Sequence, residues 1–296
     1  MNAVLIGSVS SSVAALRGLS CGGLEIAGVL GLHGRHAGRV SDYHDLEPFA
    51  REARIPFYAF EKVTDAGVYA FLRERPFDWL FAIGLSQLIP EDIRAMPTAG
   101  AVGFHPTPLP EGRGRAPVAW TILLQRPAAA NLFFLTDEAD AGDIIAQRTV
   151  PVLPGDYAAD LIARTNDVLE QMCAVLSPAF AAGRVPRIPQ DPAKATYYPR
   201  RRPEDGLIDW TRTAEEIYRL VRAVSRPYPG AFTHRRGEKL IIWRAEPVDT
   251  NTMPGQPGSI MDILSDRPVV QTGGGLLVLT EMESADTTLA VGQTLG

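Results

Sequence analysis

The stretch Asn2-Ala3-Val4-Leu5-Ile6-Gly7-Ser8 is a short apolar run that ends in a glycine. Two further runs have the same form, Trp79-Leu80-Phe81-Ala82-Ile83-Gly84 and Gly100-Ala101-Val102-Gly103-Phe104. Continuous apolar runs of this length are typical of strands that are buried on both faces of a parallel sheet. Helical patterns separate the runs, so the sequence predicts an α/β fold built on a Rossmann-like, doubly wound sheet.

Further elements follow from the same patterns. The other predicted strands cover residues 24–32, 55–58, 132–135 and 144–150, and the predicted helices cover 9–19, 45–53, 66–75 and 160–182. Short β-like runs separated by Gly and Pro turns follow a single amphipathic pattern at 214–225. We therefore predict a first domain over residues 1–190, a Pro-rich linker over 191–203, and a small C-terminal β-barrel-like (OB-like) domain over 204–296.

Composition narrows the classes of function. The chain of 296 residues has 29 basic and 34 acidic side chains, a net charge of -5, which argues against nucleic-acid binding. Its two cysteines, Cys21 and Cys173, have no metal-ligand spacing, so no metal site is predicted. The sequence has neither a signal-peptide pattern nor an apolar run of membrane-spanning length. We expect a cytoplasmic protein with a small-molecule substrate and no membrane partner.

His105 is the leading catalytic candidate. It follows directly after a predicted buried strand, and the carboxyl ends of such strands are where ligands bind in sheets of this type. The segment Pro106-Thr107-Pro108-Leu109-Pro110 then restricts the backbone. A histidine in acid-base chemistry needs a carboxylate to hold its tautomer.

Asp140 can be that carboxylate, because it lies in the tight turn Asp140-Ala141-Gly142. Asp137, Glu138 and Asp143 are close in sequence, and spacing alone does not choose among the four.

Three motifs occur in order: His105-Pro106-Thr107-Pro108-Leu109-Pro110, Arg113-Gly114-Arg115-Ala116-Pro117 and Asp140-Ala141-Gly142-Asp143-Ile144. Together they resemble the formyltransferase family that uses 10-formyltetrahydrofolate. The C-terminal part is similar to the second domain of such enzymes, at Arg201-Arg202-Pro203-Glu204-Asp205-Gly206 and Pro227-Tyr228-Pro229-Gly230. The resemblance spans nearly the whole chain. It is closer to sugar N-formyltransferases, such as the domain that formylates UDP-4-amino-4-deoxy-L-arabinose, than to methionyl-tRNA formyltransferases.

The resemblance implies roles for particular residues. His105 would move protons between the amine and the folate nitrogen, and Asp140 would support its protonated form. The positions implied to bind 10-formyltetrahydrofolate are Gln87, Leu88, Ile89, Arg115, Thr136, Asp137, Glu138, Ala139 and Asp140.

Three positions depart from the family pattern. Gly103 stands where the family has an asparagine that stabilises the oxyanion, Asn131 replaces a serine or threonine, and Phe133 replaces a frequent histidine. One hypothesis is that Asn131 supplies the missing donor, with Gly103 making room for it. The alternative is that Asn131 only ties backbone groups, and that a water or the Gly103 N–H serves instead.

The resemblance implies formyl transfer to the amine of a nucleotide-linked amino sugar. The alternatives are another amine, such as an amino acid derivative or methionyl-tRNA, a folate-binding protein that has lost transfer, and a formyl-folate hydrolase. The sequence leaves the acceptor and the oligomeric state open, a homodimer included.

Overall fold

The computed structural model describes residues 1–248, 255–284 and 289–296. The chain forms two compact units. The first consists of Met1–Pro117, Pro127–Val152 and Ile162–Pro199, and the second of Val118–Arg126, Leu153–Leu161 and Arg200–Gly296. Two short segments of the predicted first domain thus belong to the second unit. The predicted second domain includes residues 249–254 and 285–288, which lie outside the described residues.

The elements follow the sequence patterns closely. The strands are β1 (Asn2–Gly7), β2 (Glu25–Leu32), β3 (Phe57–Phe60), β4 (Trp79–Ile83), β5 (Gly100–His105), β6 (Arg113–Gly114), β7 (Ala128–Phe134), β8 (Ile144–Val150), β9 (Tyr197–Tyr198), β10 (Ala231–Arg235), β11 (Glu238–Val248), β12 (Ile260–Leu264), β13 (Arg267–Gln271) and β14 (Leu276–Glu283). The helices are α1 (Ser10–Cys21), α2 (Glu47–Glu52), α3 (Ala66–Arg73), α4 (Glu91–Arg94), α5 (Pro117–Leu124), α6 (Ala158–Ala181) and α7 (Ala214–Val224).

The first unit is built on a seven-stranded sheet in the order β3-β2-β1-β4-β5-β7-β8. The five strands from β3 to β5 are parallel, as predicted, and β7 and β8 add an antiparallel edge. All seven residues of β7 are buried, so this antiparallel strand has the same apolar texture as its parallel neighbours. Because strand order reverses beside β1, the carboxyl ends of β1, β4 and β5 border one crevice.

Hydrogen bonds of Ser8 and Ser12 link the end of β1 to the end of β4. The Ser12 hydroxyl accepts hydrogen bonds from the backbone N–H of Ser8 (3.0 Å) and of Val9 (3.2 Å), and it donates to the carbonyl of Ile83 (2.6 Å). The Ser8 hydroxyl donates to the carbonyl of Gly84 at 3.0 Å. The Ser12 hydroxyl thus satisfies the N–H of Val9 at the start of α1, and both hydroxyls tie this segment to the end of β4.

Gly18 lets α1 and α6 approach closely. A Cβ atom at this position would lie 2.2 Å from the carbonyl oxygen of Glu170 and 2.7 Å from the Cβ of Cys173. Burial raises the pKa of the Cys173 thiol to about 12, so the thiol stays protonated at neutral pH. The helix contact depends on small groups on both sides.

In the second unit, five antiparallel strands pair in the order β10-β11-β14-β13-β12. Within the described ranges, β10 and β12 are the two edge strands of this sheet. Helix α7 begins with a capping box, in which Thr213 and Glu216 bond reciprocally. Arg222 of this helix is buried and donates to the carbonyl of Asp156 at 2.9 Å. The prediction that the C-terminal part is built on β-strands is confirmed, and the structure shows that the strands pair antiparallel. No helix in the described part of the chain is long and apolar enough to span a membrane.

Gly18→Ala tests the contact between α1 and α6. In an open helix this change stabilises by about 1 kcal/mol, but here the methyl group overpacks the interface, and we expect a loss of about 1–3 kcal/mol in the free energy of unfolding. Urea denaturation measures it. Gly38→Ala, where a Cβ meets nothing within 4 Å, is the control. Stabilisation by Gly18→Ala would contradict the close approach.

Candidate active site

His105 is the last residue of β5, and it pairs across the sheet with Asn131 of β7. The residue is only 5% exposed. Its Nε2 lies 2.8 Å from the carbonyl oxygen of Gly112, and its Nδ1 lies 3.6 Å from Oδ2 of Asp140. The structure thus brings together the two residues that the family resemblance paired.

Both ring nitrogens of His105 face hydrogen-bond acceptors. A neutral imidazole has one N–H and can donate to only one acceptor at a time, whereas an imidazolium can donate to both. The Gly112 carbonyl and the Asp140 carboxylate therefore hold the ring in one orientation.

Asp140 is fixed by its backbone as well as by its partners. Its φ is +56°, in the left-handed region that few residues other than glycine adopt. Its Oδ2 accepts a hydrogen bond of 2.9 Å from the backbone N–H of Gly114. The carboxylate that faces His105 is thus held by a separate segment of chain, between the histidine loop and the Asp140 turn.

Asn131 is completely buried, and its amide binds the loop that follows His105. Its Nδ2 donates to the carbonyl of His105 (3.0 Å) and to that of Thr107. Its Oδ1 accepts from Gln147, which also donates to the carbonyl of Leu109 at 2.9 Å. These contacts support the alternative in which Asn131 ties backbone groups. The oxyanion role stays a hypothesis, and it requires Asn131 to release one of these carbonyls.

The space beside Gly103 is filled by apolar side chains. A Cβ at Gly103 would lie 2.7 Å from Cδ2 of Leu135 and 2.9 Å from Cζ of Phe133. The expectation that Gly103 makes room for Asn131 is therefore wrong, because Phe133 and Leu135 occupy that room. The two departures from the family pattern, Gly103 and Phe133, are coupled by packing.

The predicted folate-binding residues after β4 differ in exposure. The Gln87 side chain is tied down, accepting from the N–H of Val63 (2.9 Å) and donating to the carbonyl of Glu61 (3.0 Å). Ile89 packs against the core of the first unit. Leu88, in contrast, is 83% exposed.

The predicted folate residues between Thr136 and Ala139 lie on an exposed turn that leads to Asp140. Asp137 forms an ion pair with Arg94. Glu138 pairs with Arg113 at 3.1 Å and accepts from the Tyr197 hydroxyl at 2.6 Å. The Arg115 side chain is exposed. Only Asp140 of this predicted set contacts His105 among the bonds described here.

Sequence reasoning missed the segment that follows α6. It was predicted to leave the first domain as a linker, but residues up to Pro199 belong to the first unit. Gly112 donates to the Thr196 hydroxyl at 2.8 Å, and β9 pairs with β6. Gln190 reaches the Asp140 turn itself. The only signal was polar residues among the prolines, which is also what a solvated linker shows.

Gly103→Asn tests the packing at the departed position. We expect a loss of about 1–3 kcal/mol in the free energy of unfolding, because the new side chain collides with Phe133. Phe133→Ala alone leaves a cavity, but it also opens space beside Gly103. In urea denaturation, the double variant should therefore lose less than the sum of the two single changes, by about 1 kcal/mol. Additive losses would show that the two positions are not coupled by packing.

The sequence matches two family descriptions. Residues 3–175 match the formyl transferase family, and residues 201–293 match the formyl transferase C-terminal domain. Among solved structures, the chain is similar to HypX from Aquifex aeolicus in complex with tetrahydrofolic acid, with 22% identity and a TM-score of 0.67 over 97% of this chain. This chain spans 44% of the length of that HypX structure.

Two other similar structures have about the same length as this chain. WlaRD, a sugar 3N-formyl transferase in the presence of dTDP and 5-N-formyl-THF, is 16% identical over 97% of this chain and 98% of its own, with a TM-score of 0.67. Methionyl-tRNA formyltransferase from Clostridium thermocellum is 17% identical over 97% and 99% of the two chains, with a TM-score of 0.62. At these identities the structures establish the shared fold. Because the first family match covers more than half of the sequence, the chain belongs to the formyl transferase family.

Proposed function

We propose that this protein transfers the formyl group of 10-formyltetrahydrofolate to the amine of a nucleotide-linked amino sugar. The observation that carries the proposal is the pair formed by His105 and Asp140, with Nδ1 and Oδ2 3.6 Å apart at the carboxyl end of β5. A buried imidazole beside a fixed carboxylate is the equipment that proton transfer in such a reaction requires.

The reaction forms one C–N bond and breaks another. The amine attacks the formyl carbon, a tetrahedral intermediate forms, and the bond to the folate N10 then breaks. One proton leaves the amine and one is delivered to N10. His105 carries this proton, and Asp140 stabilises the imidazolium in between. Since Nε2 bonds to the Gly112 carbonyl, that bond must open before the ring can exchange a proton with substrate.

A folate co-substrate is supported by two of the similar proteins, whose structures contain tetrahydrofolic acid or 5-N-formyl-THF. In this chain, the residues that follow β4 leave the sheet at the same carboxyl edge as His105, and Asp140 of the 136–140 turn faces the His105 ring. The exposed Leu88 offers an apolar contact for a flat ring, and the other proposed contacts are Gln87, Ile89, Arg115, Thr136, Asp137, Glu138, Ala139 and Asp140.

A nucleotide-linked amino sugar is preferred over methionyl-tRNA as acceptor on two grounds. The sugar 3N-formyl transferase has the higher TM-score of the two full-length neighbours, 0.67 against 0.62. The net charge of -5 gives the chain no overall attraction for phosphate-rich tRNA, whose binding depends on Lys and Arg contacts. The tRNA substrate is the second candidate, since that neighbour matches the chain just as completely.

Incubating the protein with 10-formyltetrahydrofolate and a panel of acceptors tests the substrate. We expect formation of tetrahydrofolate and of a formamide product with one or more dTDP- or UDP-linked amino sugars. Methionyl-tRNA should give little product, and what binding it shows should weaken steeply as salt is raised. Efficient formylation of methionyl-tRNA without turnover of any amino sugar would reverse the assignment.

His105→Ala tests the catalytic assignment. Loss of a general acid-base typically costs about 100-fold or more, so kcat should fall by about this factor while the folate still binds. His44→Ala, which removes an exposed histidine outside the pair, is the matched control and should keep full activity. Near-normal turnover of His105→Ala would remove His105 from the mechanism.

A further inference from the structure

Gln190 makes four contacts with two segments that meet at Asp140. Its Nε2 donates to the carbonyl of Asp140 at 2.8 Å and to that of Gly142 at 2.7 Å. Its Oε1 accepts from Nε (3.2 Å) and Nη2 (2.9 Å) of Arg113. Every hydrogen-bonding capacity of the amide N–H2 group is thus directed at the Asp140 turn.

The backbone next to Gln190 is itself pinned to the same turn. Ile188 and Ile144 exchange two backbone hydrogen bonds, of 2.8 and 3.0 Å, directly after the turn ends. This antiparallel bridge fixes the position of residue 190 relative to Asp140. The amide contacts are therefore made from an anchored backbone and not from a free loop.

Arg113 needs the Gln190 side chain as a hydrogen-bond acceptor. The Arg113 side chain is only 4% exposed, and a buried guanidinium without acceptors is costly. Besides Gln190, its partners are Glu138 at 3.1 Å and the Tyr197 hydroxyl at 3.0 Å. The next residue, Gly114, supplies the N–H that holds the Asp140 carboxylate. A closed circuit thus runs from the Asp140 carboxylate through Gly114, Arg113 and Gln190 back to the Asp140 carbonyl.

The circuit explains how a non-glycine residue keeps a left-handed conformation. A φ of +56° costs free energy and persists only where the surroundings fix it. We propose that Gln190 is a positioning residue for the reaction: it locks the Asp140 turn so that the carboxylate meets His105. This inference rests on the proposed function for its kinetic consequence, but its structural consequence can be measured without any substrate.

Two substitutions of Gln190 separate its roles. Gln190→Glu keeps an acceptor for Arg113 but loses the donors to the Asp140 and Gly142 carbonyls. Gln190→Met removes both. Small displacements of a reacting group can cost about 100-fold in rate, so we expect kcat to fall by about 10- to 100-fold in both variants, with KM for the folate changed less than about threefold. Gln171→Met, on the exposed face of α6, is the matched control.

A double-mutant cycle distinguishes positioning from general destabilisation. If Gln190 acts through the Asp140 carboxylate, Gln190→Glu should cost less than about threefold once Asp140→Asn is present, because interacting residues are not additive. Single-turnover rates give the four values. Equal losses in the two backgrounds would overturn the proposal.

The folate-free protein provides the independent readout. The ¹⁵N resonance of His105 Nδ1, assigned among the five histidines by comparison with His105→Ala, reports its contact with Asp140. We expect it to move in Gln190→Glu and to stay unchanged in Gln171→Met. An unchanged resonance in a folded Gln190→Glu would overturn the positioning role. If no acceptor is formylated, the proposed function fails, while this resonance still decides the role of Gln190.

Discussion

The contact between the His105 imidazole and the Asp140 carboxylate is the interaction on which the site depends. The two residues lie on different elements, and both elements must be correctly placed for the side chains to meet. His105 is placed by the register of β5 against β7, and Asp140 by a left-handed turn before β8. The 3.6 Å separation of Nδ1 and Oδ2 is therefore the result of how two antiparallel strands extend a parallel sheet. The strand order places the carboxyl ends of β1, β4 and β5 side by side at the edge where His105 lies.

The polar side chains around His105 and Asp140 are mainly hydrogen-bonded to backbone groups. Asn131 holds the carbonyls of His105 and Thr107, and the serines at the start of α1 hold the end of β4. Such groups fix the position of the loop that carries His105 and of the end of β4, and pre-organisation of this kind is a general means of lowering the cost of reaching a transition state. Phe133 and Leu135 fill the space that a side chain at residue 103 would need, so the floor beside the histidine is apolar.

Much of the fold could be predicted from the sequence, because buried strands are apolar runs and nearly every run became a strand. β7 and β8 were found as strands, but their antiparallel direction could not be, since an apolar run has no direction. For the site, His105 follows from its position after a strand. Asp140 was chosen over Asp137, Glu138 and Asp143 only through the family resemblance, because all four are carboxylates close together in the sequence.

The contacts of Gln190 and Arg113 lay beyond prediction for a different reason. They join segments that are far apart in sequence, and a proline-rich stretch looks the same whether it is solvated or packed. Asn131 was singled out from the sequence, but its hydrogen-bond partners could not be derived, because an amide can bind backbone and substrate equally well. The sequence can single out a polar side chain as a candidate, but its hydrogen-bond partners are seen only in the structure.

A crystal structure of the protein with 5-formyltetrahydrofolate, a stable stand-in for the proposed donor, tests the proposed site most directly. We predict that the folate lies along the ends of β4 and β5, with its pterin against residues 87–89. The folate N10, which carries the formyl group in the proposed donor, should lie near His105 and Asp140, within the roughly 3–4 Å that a reacting group requires. Folate bound away from this edge, or with N10 remote from both side chains, would contradict the assignment of His105 and Asp140.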